Sequence, residues 1–185
     1  MSIDLRPADA DADLALLHGW MQQPHVIPWW DLEGDPERTR RYLEGQIALP
    51  HSRSWIAVDD CGIPFAYLET YAAADDPLAA HYEARPGDRG WHVLVGPASY
   101  LGSGIPRRLG REVVLRLMSE PGAERVVCEP DARNRRMIAF CERLGGVVDR
   151  HLDLPDKRAA LMVWTRAAVD ALWPGEVERR TRAAR

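Results

Sequence analysis

WHVLVGPASYLGSGIPRRLGREVVLRLM, residues 91–118, is the stretch on which the fold turns. Its opening residues alternate: Trp91, Val93 and Val95 fall on one face of an extended strand, His92 and Leu94 on the other. Its second half carries Ile105, Leu109, Val113 and Leu117 at helical spacing, with Arg107, Arg108, Arg111 and Arg116 between them. That is the pattern of an amphipathic helix. Between strand and helix lies Gly102-Ser103-Gly104. Glycines let successive backbone N–H groups turn toward one point, and the start of the helix adds the positive end of its dipole. The amides of Gly102, Ser103, Gly104 and Ile105 therefore form a candidate anion site suited to a pyrophosphate. Helix capping alone explains such glycines equally well. A Rossmann turn fits poorly, because the third glycine and the later acidic position are missing.

Upstream, residues 54–58 and 63–72 read as strands joined by the turn Asp59-Asp60-Cys61-Gly62, a hairpin. Phe65, Tyr67, Glu69 and Tyr71 share one face of the second strand, and residues 74–89 form a polar loop. Nearer the N-terminus, residues 2–5 read as a short strand ended by Pro7. Asp11 or Asp13 then caps a helix bearing Leu14, Leu17 and Met21, which Pro24 stops. HVIPWWD, residues 25–31, is aromatic and interrupted by Pro28, and Asp35-Pro36 opens a second helix to about residue 49. Downstream, residues 125–128 form a strand, 134–144 a helix closed by Gly145-Gly146, and 147–152 and 159–164 two strands joined near Pro155-Asp156. The chain from Pro174 onward is charged and expected to fray. This order predicts an α/β fold: a mixed sheet of about seven strands flanked by about four helices, in one domain over residues 1–173 with a charged tail over 174–185.

The length of 185 residues fits one domain, and a 46% hydrophobic content supplies its core. A net charge of -4 argues against nucleic acid as a partner, since neutralising phosphates needs a basic face. Lys157 is the single lysine, so nearly all positive charge is arginine, which reads as composition bias. Cys61, Cys128 and Cys141 are scattered, without zinc spacing, and their odd number points to a reducing cytoplasm rather than a disulfide framework. No metal is expected. The acidic N-terminus does not read as a signal peptide, and no stretch approaches the roughly 20 apolar residues that span a membrane.

The glycine segment resembles the acetyl-CoA loop of GNAT acyltransferases, whose pattern is Gln/Arg-x-x-Gly-x-Gly/Ala. Ser99 stands in the first place here, which removes one side chain but not the amides. The element order resembles GNAT over nearly the whole chain. DRGWHVLVGP (88–97), CEPDARNRRMIAFCERLGG (128–146), LPDKRAALM (154–162) and WWD (29–31) resemble one branch more closely. That branch comprises the siderophore N-acyltransferases of the aerobactin and mycobactin pathways. Aminoglycoside 6′-N-acetyltransferases are similar too, but carry an acid where this chain has His92.

The resemblance implies an acetyl-CoA or other acyl-CoA cofactor. It would lie along Leu94, Val95 and Gly96, over Leu101, Gly102, Ser103, Gly104 and Ile105, and near Asn134. It also implies catalysis by His92 as general base with Asp131. Read on their own, Asp131 and Asn134 serve equally as helix caps. Glu69 binds a cationic amine or pairs with an arginine. Trp29 and Trp30 form a hydrophobic plug or, with Asp31, Glu69 and Tyr71, line the acceptor pocket. Cys141 stands where many GNAT enzymes carry a tyrosine acid, and a buried thiol is the simpler reading. The implied acceptor is a small amine or hydroxylamine, namely an N-hydroxylated diamine or diamino acid. The donor is CoA or an acyl carrier protein. The alternatives are an aminoglycoside acetyltransferase and a CoA-binding sensor without turnover.

Overall fold

The computed structural model describes residues 3–183. Seven strands form one mixed sheet in the order β1-β2-β3-β4-β5-β7-β6. They are β1 (Asp4–Pro7), β2 (Ser52–Val58), β3 (Pro64–Ala72), β4 (Asp88–Val95), β5 (Arg125–Cys128), β6 (Val147–Asp153) and β7 (Arg158–Thr165). Seven α-helices occur among the described residues: α1 (Leu14–Met21), α2 (Ile27–Trp30), α3 (Pro36–Ala48), α4 (Ile105–Met118), α5 (Arg135–Arg143), α6 (Arg166–Leu172) and α7 (Glu176–Ala183).

The predicted α/β architecture is present, with four differences of detail. The first strand is shifted: Ser2 lies outside the described residues, and Pro7 ends β1 from within, pairing with Trp55. An outermost strand has one unpaired edge, so a residue without an N–H fits there. Pro28 does not interrupt 25–31 but sits in the first turn of α2, where its missing N–H costs nothing. The expected loop at 74–89 contains a 3-10 turn, Pro77–His81, and gives its end to β4. Over Glu176–Ala183 the tail is helical instead of frayed. Glu176 meets Arg111 at 3.0 Å, Arg180 reaches Glu112, and Val177 is buried, so α7 is anchored by one apolar side chain and two ion pairs.

The chain divides into two compact units. The first runs to Thr70 and takes in His92–Leu109, and the second takes Tyr71–Trp91 and everything from Gly110 on. Within the first, Leu17, Trp20, Leu43, Ile56, Tyr67 and Leu94 form the core. Within the second, Tyr71, Leu78, Val127, Leu161 and Val163 do so. Trp91 and Trp164 meet edge to face there, 6.0 Å apart.

Two ladders position the chemistry. Gly96 N–H donates to the Phe65 carbonyl and Ala73 N–H to that of Asp88, which fixes β3 and β4 as antiparallel neighbours. That register sets Glu69 directly opposite His92. β4 then pairs in parallel with β5, Asp88–Gly90 against Arg125–Val127, and runs on past that ladder to Val95.

Candidate active site

Glu69 is the centre of the first unit's polar network. It is 2% exposed, between Leu68 and Thr70 on β3. His92 Nδ1 lies 2.9 Å from its Oε2. Tyr42 on α3 and Tyr67 on β3 donate their hydroxyls to Oε1 at 2.6 and 2.9 Å. Ser54 Oγ stands 3.1 Å from the Tyr67 hydroxyl and extends the chain to β2. Burial and the charge of Glu69 push the Tyr67 hydroxyl far up, so it remains a donor. A carboxylate buried this deeply must be met by donors, and three side chains meet it here. None of the three is an arginine, one of the two partners its sequence context suggested. Its partner is the histidine on the next strand. A carboxylate against Nδ1 selects the Nδ1–H tautomer and makes Nε2 the basic nitrogen of the ring.

The tryptophans divide. Trp30 packs edge-on against Tyr42 and Tyr67, with centroids 6.0 and 5.8 Å away, and so braces the two hydroxyls on Glu69. Trp29 is 40% exposed. Asp31 closes α2 in a left-handed conformation, and its carbonyl accepts from Arg38 at 2.7 Å. Tyr71 belongs to the second unit, where its buried hydroxyl donates to Glu129 at 2.9 Å.

At the end of β4 the three backbone positions predicted for the thioester differ. Gly96 N–H is spent on Phe65, and strand alternation turns the Leu94 amide toward β3 as well. Val95 faces the other edge, where its carbonyl accepts from His25 Nε2 at 2.9 Å. Val95 is thus the one of the three whose amide points away from β3. Trp20 packs so closely over Gly96 that a Cβ there would come within 2.1 Å of its ring.

The glycine loop is exposed from Leu101 to Gly104. Gly102 and Gly104 have φ of +78° and +86°, and a Cβ on either would meet nothing within 4 Å. The glycines thus serve backbone conformation and not crowding. Ser103 Oγ donates to the Tyr100 carbonyl and accepts from the Ile105 amide at 3.2 Å, at the head of α4. Tyr100 anchors the approach to the loop, stacked on Phe65 at 4.9 Å and bonded to Asp59 at 2.7 Å.

Asp131 and Asn134 lie in the second unit. Asn134 caps α5 by accepting from the Met137 amide at 3.1 Å. Asp131 accepts the Arg133 amide and its guanidinium, and that guanidinium holds the Asp131 carboxyl below its usual range. Asp131 lines an open groove of about 700 Å³ together with Arg133, Arg135, Asp156, Lys157 and Arg158. Cys141 is fully buried, with its sulfur 3.7 Å from that of Cys128. Both thiols are free, and burial pushes that of Cys128 up.

Residues 9–154 match the family model of the acetyltransferase (GNAT) domain. The chain belongs to the GNAT acyltransferase family. This GNAT enzyme is 34% identical to lysine N-acyltransferase MbtK of Mycobacterium sp. strain MCS, over 94% of this chain and 71% of that one. It is 38% identical to N-hydroxyputrescine acetyltransferase of Acinetobacter baumannii, over 70% and 62% of the two chains. Against N(6)-hydroxylysine O-acetyltransferase of Escherichia coli the identity is 32%, over 89% of this chain but 52% of the relative. It thus spans between half and seven tenths of these relatives. Among solved structures, aminoglycoside acetyltransferase AAC(6')-Ib with coenzyme A and kanamycin superposes with a TM-score of 0.80. The identity there is 29%, over 92% of this chain and 98% of that one. The cofactor of this GNAT acyltransferase is an acyl-CoA. The exposed loop at the start of α4 has positive-φ glycines with open space above them, while two of its four predicted donors, the Ser103 and Ile105 amides, already donate to the Tyr100 carbonyl and Ser103 Oγ.

Sequence reading did not find Tyr42, His25 or the partner of Glu69. Tyr42 carries no local signal, being one aromatic on a helix. The Glu69–His92 pairing depends on a register that the long 73–87 connection does not encode.

Proposed function

We propose that this acyltransferase transfers an acetyl or other short acyl group to the nitrogen of an N-hydroxylated diamine or diamino acid, a step of hydroxamate siderophore biosynthesis. The observation that carries the reading is His92 held by the buried Glu69, in a chain whose relatives are named for lysine, hydroxylysine and hydroxyputrescine. Bound over the loop of Leu101–Ile105, an acyl-CoA supplies an activated thioester carbonyl.

As the N–C bond forms and the thioester C–S bond breaks, His92 accepts through Nε2 the proton that the acceptor nitrogen loses, and coenzyme A leaves as its thiolate, which takes a proton from solvent. Glu69 fixes the tautomer and steadies the imidazolium, while Tyr42 and Tyr67 hold Glu69 in place. Val95 directs its amide at the developing oxyanion, and Leu94 and Gly96 shape the strand that presents it. Hydroxylation lowers the basicity of a nitrogen below the pKa of about 10.4 of a lysine amine. The acceptor thus arrives neutral, and one imidazole is enough. Asp131 takes part in orienting the acceptor. Trp29, Asp31 and Tyr71 complete the acceptor side, and Asn134 the cofactor side. The catalytic domain spans 1–173 and works in the cytoplasm, with CoA or an acyl carrier protein as donor. Among the described residues no helix is long and apolar enough to cross a membrane.

The test is thiol release from acetyl-CoA and succinyl-CoA with hydroxylated diamines, their parent amines and aminoglycosides. Preferred turnover of a hydroxylamine is expected. The likeness to AAC(6')-Ib supports a second reading, and turnover confined to aminoglycosides would replace the first with it.

A further inference from the structure

The end of β4 is gripped by the segment that follows α1, and both lie in the first unit. Gln23-Pro24-His25-Val26 is a four-residue turn, closed by the Val26 amide donating to the Gln23 carbonyl at 2.8 Å. Pro24 presets the backbone at the second position of such a turn and leaves His25 the third. The turn is rooted on both sides. Gln23 N–H donates back to the Trp20 carbonyl at 3.0 Å, and Val26 is buried in the same core cluster as Trp20 and Leu94. His25 is thus carried on a short, anchored piece of chain.

What its ring reaches is one backbone oxygen. His25 Nε2 lies 2.9 Å from the Val95 carbonyl. A carbonyl only accepts, so Nε2 carries the hydrogen, and it does so whether the ring is neutral or charged. The same peptide is held at its other end, where Gly96 N–H donates to the Phe65 carbonyl at 2.9 Å. Trp20 packs closely over Gly96 and covers one face. The peptide that ends β4 is therefore fixed at its oxygen, at its hydrogen and across a face. Two of those three restraints come from α1 and the turn after it. A need to satisfy an edge carbonyl explains part of this. Val95 is only half-buried, however, and water satisfies an accessible carbonyl nearly as well. In a strand the N–H and the carbonyl of one residue leave by the same edge. A clamp on the Val95 carbonyl therefore also sets how that edge presents the Val95 amide.

We propose that His25 is a positioning residue for acyl transfer: by clamping the Val95 carbonyl it keeps the Val95 amide aimed at the thioester oxygen. This rests on the part given to Val95 in the reading above, and on no particular acceptor. A donor held in advance needs no rearrangement as charge develops on that oxygen. Loss of aim slows the chemical step while both substrates still bind. The effect therefore belongs to kcat.

His25→Leu removes the donor and keeps an apolar side chain, and His25→Gln keeps an N–H at a similar reach. Both are compared with wild type using acetyl-CoA and whichever hydroxylated diamine, parent amine or aminoglycoside the wild type turns over. His25→Leu is expected to lower kcat about tenfold, with KM for acetyl-CoA and for the amine within about twofold, and His25→Gln to recover most of the loss. Urea titrations give the folded fraction, so rates are compared per folded molecule. An unchanged kcat in His25→Leu overturns the inference, makes the contact structural only and leaves the acyltransferase reading standing. A His25→Gln enzyme as slow as His25→Leu overturns it too, because the donor is then not what matters. A loss confined to KM for acetyl-CoA also overturns it and puts His25 in cofactor binding instead. Wild-type enzyme that turns over none of the amines overturns both.

Discussion

Asp88 and Glu69 are both buried carboxylates on adjacent strands, 0% and 2% exposed, and the protein satisfies them in opposite ways. Asp88, in the second unit, is met by the Arg125 guanidinium at 2.6 and 2.7 Å, the Tyr82 hydroxyl and the Arg85 amide. Burial pushes its carboxyl up, but the Arg125 contact and the two other donors together bring it below its usual range. Glu69, in the first unit, is met by two hydroxyls and an imidazole. Arginine keeps its charge at any working pH, so the first arrangement is a fixed clamp. Histidine gains and loses its proton near neutrality, so the second can do chemistry. Burial alone does not distinguish a structural acid from a working one. The nature of the donor does.

Substitutions can break that contrast. His92→Ala should have the largest effect, lowering kcat about a thousandfold, or ~4 kcal/mol on the barrier, with the unfolding transition little changed. Saturation kinetics beside a urea titration would check both halves. Asp88→Asn should do the reverse, costing about 3 kcal/mol of stability by leaving Arg125 without its carboxylate while kcat per folded molecule holds. Its pH dependence has a definite sign. A carboxyl held below its unfolded value of about 3.9 contributes stability that is complete above that pH and fades as pH falls through the folded value. Wild-type protein should lose this share in acid, and Asp88→Asn should show a correspondingly flatter acid limb.

Gly96→Ala should cost about 2 kcal/mol, since the new methyl would fall on the Trp20 ring, and calorimetry would read it. Glu69→Gln should lower kcat roughly tenfold with little change in KM, and should move the acid limb of the rate profile to lower pH, because an amide does not stabilise an imidazolium. Glu69→Asp, which keeps the charge, should restore part of the limb's position. If Glu69→Gln left the rate and its profile as they were, Glu69 would join Asp88 as a structural acid. Arg133→Ala should be the mildest. The Asp131 carboxyl should drift up toward its ordinary range in an NMR titration, with stability unmoved because Arg133 is exposed.

How much of this was legible in the sequence follows from the range of the interactions. The β2–β3 hairpin was, because Asp59 folds back onto the amides of Cys61 and Ile63 within its own turn. Strand β4, the glycine loop and α4 were, because periodicity and a glycine pair are local signals. His92 stood out only through resemblance to a family. Its link to Glu69 was not readable, because it depends on a ladder between strands separated by a long connection, and nothing local sets that register. Trp30 was marked as a plug or a pocket wall, but its packing against Tyr42 was not readable for the same reason, because the two lie on different helices. The C-terminal helix α7 was misread as frayed because its ion pairs reach back to Arg111 and Glu112.

The three cysteines have a practical consequence for the measurement on which the functional reading depends. Cys61 sits exposed at the tip of the β2–β3 turn, while Cys128 and Cys141 are sealed in the second unit's interior. A chromogenic thiol reagent added to follow coenzyme A release should therefore show one fast protein equivalent before any substrate is present, and two more only on denaturation. Cys61→Ser would give a silent background. The same exposed position offers a single attachment point for a fluorophore on an otherwise native chain.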